Sequence, residues 1–233
     1  MYSLLLSALL AVSTSQIQLS GTPRLPGAHG LTKVVKGDGT AKLIVELNGV
    51  KPATLFGGDY NTYVLWLVSR DGQPVNAGQI ALDGDQGRLQ TSTDLSNFGI
   101  FVTAEPHYAV DRPSRFVILT AAKDTHLPQY ECATRGVAYN YERNTLAYTK
   151  HAAGPVHTEV QQAFMAVRLA ERAGAGTLAP QQLAEARSSL QRTLDVFQEK
   201  KPFETVQALA HETIELAVQA QRAAEHRATA SAK

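Results

Sequence analysis

Short apolar runs separated by turn residues fill the chain from about residue 29 to residue 122, and they predict strands rather than helices. The candidates are 31–35, 41–47, 63–68, 77–82, 88–93, 98–103 and 115–121. Between them lie Gly37-Asp38-Gly39, Asn48-Gly49, Gly57-Gly58-Asp59, Asp71-Gly72 and Asp83-Gly84-Asp85. Such residues supply the positive φ angles and local side-chain hydrogen bonds of tight turns. Seven strands without a helical interval predict an immunoglobulin-like antiparallel β-sandwich over 29–122.

From residue 155 the apolar positions take up helical spacing. Val156, Val160, Phe164 and Val167 share one stripe, which Gly174 and Gly176 end. A second helix starts at Pro180, where a missing N–H is harmless, and carries Leu183, Ala186, Leu190, Leu194 and Phe197. Lys200-Lys201-Pro202 breaks the pattern, and a third helix follows to about Arg227 with Val206, Leu209, Thr213, Leu216 and Ala220 on its stripe. Short connections predict an antiparallel three-helix bundle over 155–229. The fold class is therefore α+β. Between the halves, 123–154 carries Tyr130, Tyr139, Tyr141 and Tyr148, which predicts an arm lying against a domain with rings buried and hydroxyls at the edge.

Three of the strands break the alternation expected of a sheet with one face in water. Tyr63-Val-Leu-Trp-Leu-Val68, Phe98-Gly-Ile-Phe-Val102 and Phe116-Val-Ile-Leu119 are apolar at nearly every position. In an immunoglobulin-like order they are the third, sixth and seventh strands and share a sheet. Val64, Trp66, Phe101 and Val117 would then form an apolar outer face too large to leave bare. Its cover is either the chain's own helices or arm, or a partner envelope protein or second copy.

Residues 1–12 form an apolar run shorter than the ~20 residues that span a bilayer, followed by small polar residues. The pattern predicts a signal peptide over 1–15, cut after Ser15 or after Ser13. The run lacks Lys and Arg, so a buried N-terminal strand or helix is the competing reading. Export implies a periplasmic or secreted protein, and no later stretch reaches transmembrane length.

The residues Tyr63-Val-Leu-Trp66, Asp71-Gly72-Gln-Pro74, Gly78, Phe101-Val-Thr-Ala-Glu105-Pro106 and Pro113 before Phe116-Val-Ile-Leu119 make 60–120 resemble the extracytoplasmic domain of anti-sigma-K factors. The resemblance implies a small β-sandwich outside the membrane, with Leu65, Trp66, Gly72, Gly78, Glu105, Pro106 and Pro113 at the family's motif positions. The family's sigma-binding segment and membrane helix have no counterpart in these residues, so sigma-factor inhibition is not implied. Val167-Arg-Leu-Ala-Glu-Arg-Ala-Gly174, Leu178-Ala-Pro180 and Leu183-Ala-Glu-Ala-Arg187 resemble the alanine-rich helical domain found ahead of OmpA-like domains. The OmpA-like domain itself has no counterpart, so peptidoglycan binding is not implied.

Lys plus Arg is 22 against 21 for Asp plus Glu, which leaves no excess charge to hold a nucleic acid. One cysteine, Cys132, cannot close an intrachain disulfide or build a thiol-rich metal site. No nucleophile elbow, phosphate loop or dinucleotide fingerprint is present, and Gly84-Asp-Gln-Gly87 is a hairpin turn. His211 and Glu215 share a helical face but make an exposed polar pair rather than a metal site. His107, His126, His151 and His157 have no spacing that gathers them, and His226 falls in a terminal turn. Asp83 and Asp85 are turn residues rather than calcium ligands. Glu105 is expected to pair with Arg112 or Arg115, and Cys132 to be partly buried and inert. No catalytic residue, metal or cofactor is expected. The residues predict a non-enzymatic envelope protein that binds through its apolar sheet face and alanine-rich helices. The alternative is an extracytoplasmic sensor holding a small molecule or peptide between strands and helices, in a pocket of roughly 300 Å³ or more.

Overall fold

The computed structural model describes residues 13–37, 39–121, 128–147, 149 and 158–232. The apolar run 1–12 of the expected signal peptide lies outside them, as do Asp38, His126, Tyr148, His151, Val156 and His157. The fold is α+β, and nine strands form one antiparallel sheet. They are β1 (Ser13–Gly21), β2 (His29–Gly37), β3 (Thr40–Asn48), β4 (Thr62–Val68), β5 (Pro74–Gln79), β6 (Ala81–Asp83), β7 (Gln86–Thr93), β8 (Gly99–Glu105) and β9 (Val117–Ala121). Their order across the sheet is β5-β4-β8-β9-β1-β2-β3-β7-β6.

Two local features turn the expected two-sheet sandwich into this single rolled sheet. The first is β1, which falls where the sequence predicts a cleavage region. It pairs with β2 along its length, from Ser13 opposite Lys36 to Ser20 opposite His29, and at its far end with β9, Gly21 opposite Leu119. It thereby joins β5-β4-β8-β9 to β2-β3-β7-β6. The second is the corner at Gly78–Ile80. The candidate strand 77–82 is two strands separated by Ile80, one pairing with β4 and the other with β7. Ile80 is buried and donates its N–H to Tyr63 O at 2.9 Å. Gly78 takes φ +122°, a region that suits glycine. Because β5 and β6 stand at opposite ends of the strand order, this corner brings the two edges together and nearly closes a barrel.

The interior follows from strand alternation. Ala41, Leu43, Val45 and Leu47 of β3 point inward while Lys42 and Glu46 face water. Tyr63, Leu65 and Leu67 of β4 and Ile100, Val102 and Ala104 of β8 join the same core.

The helices are α1 (Cys132–Arg135), α2 (Thr158–Arg172), α3 (Ala175–Leu178), α4 (Pro180–Gln198) and α5 (Phe203–Ser231). Gly174, at φ +82°, ends the run of α2 and opens α3. The three long helices pack on one another through Ala163, Ala166, Ala170, Ala186, Ala210, Ala217, Ala220 and Ala224, with Val167, Leu183 and Ile214 among them. Small side chains let helix axes approach closely. Phe164, expected on the buried stripe, is instead 47% exposed, with the Arg168 guanidinium over its ring. Ser189, Thr193 and Thr213 are buried at the α4–α5 seam and hydrogen-bond one another at 2.9–3.0 Å.

Candidate functional site

The outward positions of β4 and β8 are covered by the chain itself. Val64, Trp66, Val68 and Phe101 form a second apolar cluster with Val110 and Cys132, against which Val117 and Tyr130 pack. Trp66 is 0% exposed. Its ring stacks on Phe101, Phe101 stacks on Tyr130, and the Arg135 guanidinium lies over Tyr130. Of the residues expected to form an interface, Val64, Trp66 and Phe101 are thus inside the molecule under the arm and the β8–β9 loop, and Val117 is half-buried beside them. The arm continues along the barrel: Val137 bridges Ser114, Glu142 and Arg143 donate their N–H groups to Phe56 O, and Leu146 is buried.

Glu105 lies beneath this cover. Trp66 Nε1–H donates to Thr103 Oγ1 at 2.7 Å, and Thr103 in turn donates to Glu105 Oε1 at 2.5 Å. The Ser114 N–H also reaches Oε1, at 2.7 Å, while Oε2 is buried without a partner. Burial pushes the carboxyl up to about 8, against the donors that favour the charged form. The ion pair expected with Arg112 or Arg115 is absent among the described residues, and Arg115 donates instead to Gly136 O. The other motif positions have structural settings. Leu65 is in the core, Gly72 takes φ +75° in the β4–β5 turn, Pro106 O accepts from Asn61, and Pro113 O accepts from Val137.

The remaining candidates separate. His211 Nε2 lies 3.2 Å from Glu159 Oε2, while Glu215 is exposed. Asp83 and Asp85 are exposed at the β6–β7 turn. Cys132 is buried, and burial, with Glu105 and Glu131 nearby, pushes its thiol up to about 12. Among the described residues, no group of three His, Cys, Asp or Glu side chains could hold a metal ion. No helix of the described residues is long and apolar enough to cross a membrane.

Where the helices meet the barrel, Tyr108 and Ala109 of the β8–β9 loop pack on the alanine-lined helix core and polar pairs make further contacts. Arg172 of α2 grips both oxygens of Asp59 at 2.7 and 3.0 Å. Burial works against the Asp59 charge, but the Arg172 and Asn140 hydrogen bonds hold its carboxyl below the usual range. Glu159 accepts from Gln79 and Gln162, Gln162 accepts the Tyr108 N–H at 2.8 Å, and Arg222 of α5 grips Asp111. Between these pairs a cleft of about 350 Å³ remains open. Its walls come from the β8–β9 loop (His107, Val110, Arg112), the arm (Val137, Tyr139) and the helices (Leu169, Ala173, Val218).

Asp59 and His107 are buried polar groups in the lining of this cleft, and His107 is the one with an unpartnered atom. It is 2% exposed, and its Nδ1 has no hydrogen-bond partner. Burial holds the ring at about 4 despite the nearby Asp111, so at neutral pH it is an uncharged imidazole with one donor and one acceptor. Sequence reasoning set His107 aside for want of spacing to other histidines. Its neighbours come from five separated segments, and no local motif could have announced them. Searches against known protein families, curated proteins and solved structures find no match to this chain.

Proposed function

We propose that this chain is a non-catalytic, exported binding protein whose site is the cleft between barrel, arm and helices. The observation that carries the reading is the juxtaposition of a 350 Å³ opening with the unpartnered, buried Nδ1 of His107. Concave sites with apolar walls and a few buried polar groups are the usual form of small-ligand sites. Two further features support a binding role over catalysis. Arg172 and Arg222 are already engaged by aspartates, and the Cys132 thiol is buried and held protonated. Export to the periplasm or beyond rests on the apolar run 1–12 and the small residues after it.

A second reading, an extracytoplasmic regulatory sensor, draws on the anti-sigma-K-like residues of 60–120 and uses the same cleft. The originally expected working surface, the apolar sheet face, is occupied by the arm, which moves the binding site to the helix–barrel junction. The test is a nuclear magnetic resonance screen of the full chain against small polar compounds, observing the His107 ring. Binding compounds should shift that ring, and Ala173→Trp, which places an indole in the cleft, should abolish the shift while leaving the fold intact. Shifts confined to other residues, or undiminished in the Ala173→Trp protein, overturn the reading.

A further inference from the structure

Two pairs of the cleft's charges close on each other, while one arginine and one glutamate form no ion pair among the described residues. Its lining carries Asp59, Asp111 and Glu225 against Arg112, Arg172 and Arg222. Arg172 is taken up by Asp59, and Arg222 by Asp111 through Nε at 2.8 Å and through a second contact from its terminal nitrogen. Arg112 is exposed and, among the described residues, has no carboxylate within 4.0 Å. Glu225 is exposed too; among the described residues it makes no ion pair within 4.0 Å, its carboxylate accepts the Gln221 amide one turn earlier at 2.9 Å, and its charge bears on Arg222 beside it, which Asp111 already grips.

We propose that the cleft takes a short peptide in its zwitterionic form, a dipeptide or tripeptide, with its carboxylate on Arg112 and its ammonium on Glu225. This deepens the binding reading above and rests on it. A ligand of single charge would leave one of the two residual groups unanswered, and an uncharged ligand both. Discrimination of this kind comes as much from the groups left unpaired as from those satisfied. A peptide bond carries both an N–H donor and a carbonyl acceptor, so one of the two can answer the unpartnered His107 Nδ1, the ring tautomer following the partner. Leu169, Ala173 and Val218 give an apolar side chain a wall to lie against.

The probe is L-alanyl-L-leucine, titrated into the full chain by calorimetry with the His107 ring as a second readout, beside its N-acetyl and C-amide derivatives. Each cap should weaken binding by about tenfold or more, the equivalent of one unanswered charge. Arg112→Gln should weaken the parent dipeptide but leave the C-amide unaffected. Glu225→Gln should weaken the parent but leave the N-acetyl form unaffected. Both substituted residues are exposed, so folding is preserved. Capped forms that bind as tightly as the parent overturn the assignment. So does a dipeptide that fails to bind while some neutral or singly charged compound of the screen shifts His107, an outcome that leaves the cleft a site. If neither the dipeptide nor any screened compound shifts His107, the cleft reading falls as well.

Discussion

The barrel is covered twice, by the arm on one side and by the helices on another, and the two covers differ in their balance of apolar and polar contact. Under the arm, Trp66, Phe101, Val64 and Cys132 meet with few polar groups among them. Under the helices, Tyr108 and Ala109 pack on the alanines, and the rest of the contact runs through discrete pairs: Arg172 with Asp59, Glu159 with Gln79, Gln162 with Tyr108, Arg222 with Asp111. An apolar interface gains stability from every square ångström it closes, so it closes completely. A seam made of directional pairs is fixed only where the pairs sit, and space can persist between them. The cleft lies in that seam, where the proposed binding site is placed.

The largest way to break this contrast is Trp66→Ala. Removing the central ring of the dry layer should cost roughly 3–5 kcal/mol and loosen the arm. Cys132, now inert, should then react with a thiol reagent at rates approaching those of the unfolded chain. Unchanged labelling would show that the arm is held elsewhere.

A smaller effect separates the layers by pH. Folded Glu105 keeps its proton to about pH 8, whereas the unfolded chain releases it near 4.5. The folded state therefore binds the extra proton in that window, and stability falls as pH rises through it. His107 acts in the reverse sense: its ring is held at about 4 when folded and titrates near 6.5 when unfolded, so stability rises from pH 4 to 6.5. The two slopes oppose each other below 6.5. From 6.5 to 8 Glu105 acts alone, with a fall approaching about 1.4 kcal/mol per pH unit. Urea midpoints measured at pH 6.5 and 8 should differ for the natural chain and coincide for Glu105→Gln. Equal shifts in both proteins would remove Glu105 as the cause.

The smallest effect lies in the polar seam. Arg172→Met leaves the buried Asp59 with only its Asn140 contacts. The loss should be about 1–2 kcal/mol, less than for a fully buried pair, because the Arg172 side chain is partly exposed. Hydrogen exchange should quicken in α2 and the β8–β9 loop while the arm-covered strands stay protected. Quickening under the arm as well would mean the two covers are not independent.

Much of this architecture was legible in the residues. Apolar runs bounded by turn residues located β2, β3, β4, β7, β8 and β9, and apolarity at both parities of β4 and β8 called for the second layer that the buried Val64, Trp66 and Phe101 have. The strand that went unread is β1, because only Leu19 of its nine residues is buried and its small polar residues look like a cleavage region. That omission hid the link between the two halves of the sheet. In the helices, bulky Phe164 drew the stripe toward itself, whereas alanines line the contact. Glu105 stood out in the sequence, but its partners are Thr103, two residues back on the same strand face, and the backbone of Ser114 rather than an arginine. A pocket between strands and helices was the alternative expectation, but its lining was not legible, since it exists only where 59, 107–112, 137–140, 169–173 and 218–225 converge.

The corner at Ile80 also governs how the molecule meets its own kind. A flat sheet ends in two rows of unsatisfied main-chain groups that recruit foreign strands and seed fibrils. Here the two margins meet at one bend and are short: β6, three residues long, follows β5 after Ile80, Pro74 interrupts the margin, and Asn76 ties it down by donating to the carbonyls of Tyr108 and Val110 at 2.8 and 3.0 Å. Crowding this protein should therefore favour dispersed particles over polymerisation, with the protection residing in one hairpin-free bend of the backbone.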